Sequence, residues 1–327
     1  MPRKRQHHSV NFGHGRSPEF AAKHALREHF GDGHHGTVHA HTQRFNLFCE
    51  WLRDEHSIND LCRVSTELIA AYAVYLRFLI LDQKIAIATA TNRISTVNVV
   101  LNIMRDDNKI RMDNIGIALG QKRSYIRRRI PDGMYLDAVA KLRQQLIDAN
   151  FIRVAAIVGL ARTLGMRLRE TILADLPRLQ MEANKFGLIN IQDGTKGGRC
   201  GAFAPRWIPV TLEIQEAINY AHNVSPDNSR NLLSNNENYI GFIRHNVNPA
   251  RQILHLNGIR GFHELRAAYA CDRYQRLVGR PAPVISRPEN QSSEHQQLTS
   301  NARQIISREL GHERLEVTNS YLGSEKK

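Results

Sequence analysis

Apolar side chains recur at intervals of three and four along most of this 327-residue chain, which commits it to helices that each pack through one stripe. Phe45, Phe48 and Leu52, with the neighbouring Trp51, form one such stripe. Leu68, Ile69, Tyr72, Leu76 and Leu79 form a second, and Ile94, Val97, Leu101 and Met104 a third within a helix expected over Ala88–Met104. A shorter helix is expected over Asn114–Leu119, and two more over residues 134–148 and 151–164. The period changes in one place. Leu188–Gln192 and Arg206–Val210 read as two strands around a polar, glycine-rich turn. The fold class that follows is mainly α with a small antiparallel sheet.

The length exceeds a typical single domain, and the pattern divides accordingly. Residues 1–36, rich in His, Gly and Arg, read as a basic N-terminal arm with one short helix, Pro18–Phe30, started by the capping residue Ser17. Residues 37–120 form a helical domain. Residues 121–131 read as a basic interdomain linker, because Lys122, Arg123, Arg127, Arg128 and Arg129 fall within eight positions and Pro131 ends the run. Those five cations are candidates for contacts to phosphates. Residues 132–327 form a second, mostly helical domain, in which polar, proline-containing Arg280–Ser300 is expected to be a surface loop.

Forty-five Lys and Arg stand against 31 Asp and Glu, a net charge of +14 that attracts polyphosphates. The excess is +8 over residues 1–131 and +6 over the remainder, so both parts of the chain suit nucleic acid as a partner. No stretch reaches the roughly 18 uninterrupted apolar residues of a membrane span. The charged N-terminus has no apolar segment behind it, so a secretory signal is not expected and the cytoplasm is. Cys49, Cys62, Cys200 and Cys271 are spaced for neither a disulfide framework nor a zinc site. Nine of the sixteen histidines precede residue 42, but without repeated ligand spacing, so no metal and no other cofactor is expected.

Four segments of the second half carry chemistry: Gly165-Met-Arg167-Leu-Arg-Glu170, Gly194-Thr-Lys196-Gly-Gly in the turn between the strands, His263-Glu-Leu-Arg266, and Leu310-Gly-His312 followed nine residues later by Tyr321. In this order and at these separations they resemble the catalytic set of the tyrosine recombinases, the phage-type integrases and their relatives, over residues 132–327. The preceding helical domain resembles that family's core-binding domain. The resemblance implies a clamp around double-stranded DNA, four subunits on two DNA sites, and cleavage through a 3′-phosphotyrosine followed by rejoining, without metal. It also implies that Tyr321 is the nucleophile, with accessory DNA-bending proteins as possible helpers. The 45 residues between Arg266 and His312 exceed the family's compact pattern. The six residues after Tyr321 are too few for the C-terminal helix that family members place on an adjacent subunit.

The residue types suit that chemistry in their own right. A phenol is a weak nucleophile at neutral pH and must lose its proton as it attacks phosphorus. Arg167 and Arg266 offer planar forks of N–H donors that match phosphate and keep their charge. His263 and His312 can donate to the same oxygens, and His263 can assist removal of the tyrosine proton. Glu170, three residues beyond Arg167, can fix that guanidinium. Lys196 is implied by the resemblance to protonate the departing oxygen. A mobile-element integrase is the role these observations favour; a type IB topoisomerase-like relaxing enzyme and a noncatalytic DNA-binding protein are the alternatives.

Overall fold

The computed structural model describes residues 9–195, 205–286, 292–312 and 314–325. The chain divides into two compact units, Met1–Ser124 and Tyr125–Lys327.

The first unit is helical. A 3-10 turn, Val10–Gly13, leads to helices α1 (Pro18–Phe30) and α2 (His35–His56). A second 3-10 turn, Leu61–Arg63, is followed by α3 (Thr66–Leu81), α4 (Ile87–Arg105) and the single turn α5 (Ile115–Ala118). Hydroxyl caps set two of the starts: Ser17 accepts from the Phe20 amide and Ser65 from the Leu68 amide. The stripes read from the sequence form the core, with Phe45, Phe48, Ile69, Tyr72, Leu76, Ile94 and Val97 fully enclosed. Phe48 and Tyr72 meet edge to face at 4.9 Å.

The N-terminal segment departs from the arm expected over 1–36. Helix α1 has the expected bounds, yet Ala21, Ala22, Ala25 and Leu26 are buried in the same core as α2 and α4. Its buried stripe is mostly alanine, which gives little apolar period. Asn11 fixes the approach: its side chain accepts from the Leu61 amide at 2.8 Å and donates to the carbonyls of Gly15 and Arg16.

The second unit holds α6 (Leu136–Asp148), α7 (Ile152–Leu164), α8 (Leu168–Leu173) and α9 (Leu176–Phe186), then strands β1 (Leu188–Asn190) and β2 (Trp207–Pro209). After the strands come α10 (Leu212–Asn223), α11 (Tyr239–Phe242), a π turn at Ile243–Val247, α12 (Asn248–Leu256), α13 (Phe262–Val278) and α14 (Ser293–Glu309). A 3-10 turn, Leu315–Thr318, leads into α15 (Asn319–Leu322). Helix α7 is buried along nearly its whole length and packs against α6, α10 and α13. The strands pair antiparallel, with Ile189 opposite Ile208, both buried. A second core gathers α13, α14 and α15 around Ala270, Cys271, Ile306, Leu310 and Leu322.

The loop expected over Arg280–Ser300 is shorter than the sequence suggested. Helix α14 starts inside it, with Ser292 as the cap accepting from the His295 amide. Its buried face is built from Thr299, Ala302, Arg303, Ile306 and Ser307, too polar to give an apolar period. Among the described residues no helix is long and apolar enough to cross a membrane.

Candidate active site

The site starts where α7 stops. Gly165 ends that helix at φ +62, and a Cβ there would stand 2.4 Å from the Tyr269 ring, so both backbone and packing require glycine. The turn places Arg167 at the start of α8. The Glu170 carboxylate accepts from the Arg167 amide and from its guanidinium, each at 2.7 Å.

Glu170 is fully buried and serves three arginines. Arg206 donates to it at 2.8 Å, and Arg266 lies 3.7 Å away. Burial alone would raise this carboxyl; the charges of Arg206, Arg266 and Arg167 hold it below the usual carboxylate range. The same three guanidiniums grip the carboxyl end of α14, whose last carbonyls lack partners within the helix. Arg206 donates to the Glu309 carbonyl, and Arg167 and Arg266 both donate to that of Leu310. Gly311, at φ +62, then turns the chain; a Cβ would meet the Arg206 side chain at 2.7 Å.

That turn delivers His312. Its backbone is held by Ser307, whose carbonyl accepts the His312 amide at 2.8 Å and whose hydroxyl donates to the His312 carbonyl at 3.0 Å. Nε2 faces the Arg167 and Arg266 guanidiniums, each at 3.4 Å, and the Tyr321 hydroxyl at 3.1 Å. Guanidiniums only donate, so Nε2 presents its lone pair and the ring proton sits on Nδ1. Burial, then the charges of Arg266, Arg167 and Arg206, push His312 down to about 3, so the ring is neutral near pH 7.

Tyr321 lies on α15 and is 3% exposed. Its hydroxyl accepts from Arg266 Nε at 3.3 Å and is the donor toward His312. Arg266 is itself fully enclosed and donates to the Gly165 carbonyl; burial brings its guanidinium down to about 10. Arg303 of α14 holds the tyrosine segment from beneath, donating to the Thr318 hydroxyl, Asn319 side chain and Gly323 carbonyl at 2.9, 3.1 and 2.9 Å.

The structure therefore brings Arg167, Glu170, Arg266, His312 and Tyr321 together. His263, one turn before Arg266 on α13, stands beside them with its ring centre 5.3 Å from that of Tyr321. Desolvation by its neighbours and the Arg266 charge lower its pKa, although the side chain reaches solvent. The histidine hydrogen-bonded to the tyrosine hydroxyl is His312, whereas the sequence reading had His263 assist removal of its proton. Lys196 lies outside the described residues. Just before it, Gly194 runs so close to α8 that a Cβ would be 2.6 Å from the Arg169 carbonyl oxygen.

The five cations of the basic run differ in their surroundings. Arg127 is 11% exposed: its guanidinium bonds Glu264 of α13 and the Arg129 carbonyl, and its amide bonds the Asn319 carbonyl beside the tyrosine. It fastens the chain. Arg123 is half-buried and reaches Asn92, while Lys122, Arg128 and Arg129 are exposed. Sequence reasoning missed Arg206 and Arg303. Arg206 carried one signal: it alternates with Ile208 and so points to the buried side of the strand.

Residues 119–272 match the family model described as Integrase. Among solved structures, the Tn1549 transposon integrase in complex with transposon right end DNA is similar at a TM-score of 0.53 and 14% identity, over 93% of this chain and 95% of that one. A lambda integrase tetramer bound to a Holliday junction is similar at a TM-score of 0.53 and 16% identity, over 92% and 75%. No curated protein sequence matches. The family match covers residues 119–272, just under half of the chain, and the fold is shared with these integrases.

Proposed function

We propose that this protein is a site-specific recombinase, the integrase of a mobile element, that cuts and rejoins double-stranded DNA through Tyr321. The observation that carries the reading is the Tyr321 hydroxyl, 3.1 Å from His312 and 3.3 Å from Arg266, with Arg167 joined through His312. A buried phenol held between a fixed cation and a neutral imidazole lone pair has a charge stabiliser and a proton acceptor in place.

The phenolic oxygen attacks phosphorus, forming the Tyr321 O–P bond as the bond from phosphorus to the 5′ sugar oxygen breaks. Its proton passes to His312 Nε2. The incoming phosphate adds the negative charge that His312 lacks among its arginines, and so favours the protonated ring at that moment. Arg167 and Arg266 take the charge growing on the nonbridging oxygens, and His263 supplies a further donor. Lys196 protonates the 5′ oxygen. The 3′-phosphotyrosine conserves the bond energy, and reversal with a second strand rejoins the DNA. No metal and no nucleotide hydrolysis is required.

Exposed Lys122, Arg128 and Arg129, with Arg123, contact phosphates of the duplex. Similarity to a DNA-bound integrase and to a tetramer on a Holliday junction supports DNA as the partner and four subunits on two sites. Accessory DNA-bending proteins as helpers and the cytoplasm as the place of action complete the proposal. Plasmids carrying the element's two end sites separate this reading from its rivals. Recombinant product is the expected outcome. Relaxation of supercoils without recombinant would indicate a type IB topoisomerase-like enzyme, and retardation of the DNA without strand breakage a noncatalytic binder.

A further inference from the structure

In the first unit, three potential metal ligands converge from two segments of the chain. His24 and Glu28 are one helical turn apart on α1. His14 ends the preceding 3-10 turn, and its side chain, 4% exposed, is carried back onto α1 by the bonds of Asn11. His14 Nδ1 is 3.5 Å and His24 Nδ1 3.7 Å from the same carboxylate oxygen of Glu28, and the three ligand atoms lie within 4.8 Å of one another. These separations are long for N–H···O hydrogen bonds, which centre near 2.9–3.0 Å. They approach the edge of about 3.3 Å that a tetrahedron with metal–ligand bonds of about 2.0–2.1 Å requires. The ring of Phe20 stacks on His24 at 6.2 Å and orients it.

We propose that His14, His24 and Glu28 form a structural site for one divalent transition-metal ion of the zinc class, with water in the fourth position. Two imidazoles and a carboxylate suit such an ion and leave calcium and magnesium, which prefer oxygen, poorly served. An ion pair explains less, because His24 and Glu28 are each about half exposed, at 48% and 49%, where a charge pair stabilises little. A bound ion would staple the segment before α1 to the helix whose alanine stripe enters the core. The catalytic set belongs to the other unit, so the site is independent of the cleavage reading.

The test uses the full chain freed of metal by a chelator and dialysed, then titrated with zinc chloride. Thermal unfolding and the zinc retained after equilibrium dialysis are both measured. A paired variant, His24→Ala with Glu28→Gln, changes two partly exposed side chains and leaves the buried His14 in place. The parent should bind one ion more tightly than the variant by at least the roughly ten- to hundredfold that even a ligand-supporting residue contributes. Zinc should raise the parent's unfolding temperature and leave the variant's unchanged. Equal retention and equal thermal response in both proteins would assign binding to the other histidines and overturn the site, as would no response in either.

Discussion

Glu170 is the residue on which the cationic set depends. A buried carboxylate shared by three guanidiniums holds them in register, and Arg206 is the one of the three without access to solvent or to Tyr321. Its part is positioning: it braces Glu170 on one side and the end of α14, hence His312, on the other. Removing one partner of a buried pair costs about 3–5 kcal/mol. Arg206→Ala should therefore lower stability by that order. Arg206→Lys should recover much of the stability, yet cleave more slowly than the parent at unchanged DNA affinity, because one amine cannot grip both acceptors. Equal cleavage rates for Arg206→Lys and the parent in single-turnover assays would contradict the role.

His312 makes a prediction about acid stability at the same scale. The unfolded chain protonates this histidine near pH 6.5, while the folded chain declines the proton until about pH 3. Its contribution is thus whole above pH 6.5 and is lost as pH falls from there toward 3. His312→Asn should show a shallower fall in stability across that window in urea unfolding; an identical slope would argue against the arginine field at His312. The grouping of Arg167, Glu170, His263, Arg266, His312 and Tyr321 was legible in the sequence because order and spacing survive in one dimension. Arg206 was not, since its partners are 36 and 103 residues away.

Among elements, α14 separates what periodicity reveals from what it hides. The helices with leucine, isoleucine or aromatic stripes stand close to where the sequence put them, as do both strands. Helix α14 was read in its first half as loop, and α1 as part of an arm, because their buried faces are mostly small or polar, with only Leu26 on α1 and Ile306 on α14 as large apolar residues. One buried arginine gives α14 its purpose. Arg303 ties α14 to the turn, side chain and carbonyl that frame Tyr321, so Arg303→Ala should free α15. Hydrogen exchange over residues 314–325 should rise, and cleavage should slow by tenfold or more at constant DNA affinity, as about 1.4 kcal/mol of lost alignment implies. Unchanged exchange would show that α15 is held by its apolar contacts alone.

For the whole molecule, charge is the property with a direct readout. A net charge of +14 drawn from both units predicts binding dominated by phosphate contacts and release of counterions. Affinity for duplex DNA should fall steeply with salt, by about 10³–10⁵ between 50 and 200 mM if six to ten phosphates are contacted. A shallow dependence would mean that the basic surface is not the DNA-facing one.

The proposed chemistry turns on a covalent bond between one oxygen and DNA. Incubation with a nicked suicide duplex, whose short downstream fragment bearing the freed 5′ hydroxyl diffuses away, should leave protein attached to the 3′ phosphate. Digestion and mass spectrometry should then find the nucleotide on the peptide containing Tyr321. Tyr321→Phe should retard the same duplex on a gel and form no adduct. An adduct that persists in Tyr321→Phe, or a nucleotide found on any other residue of the parent, would contradict the mechanism.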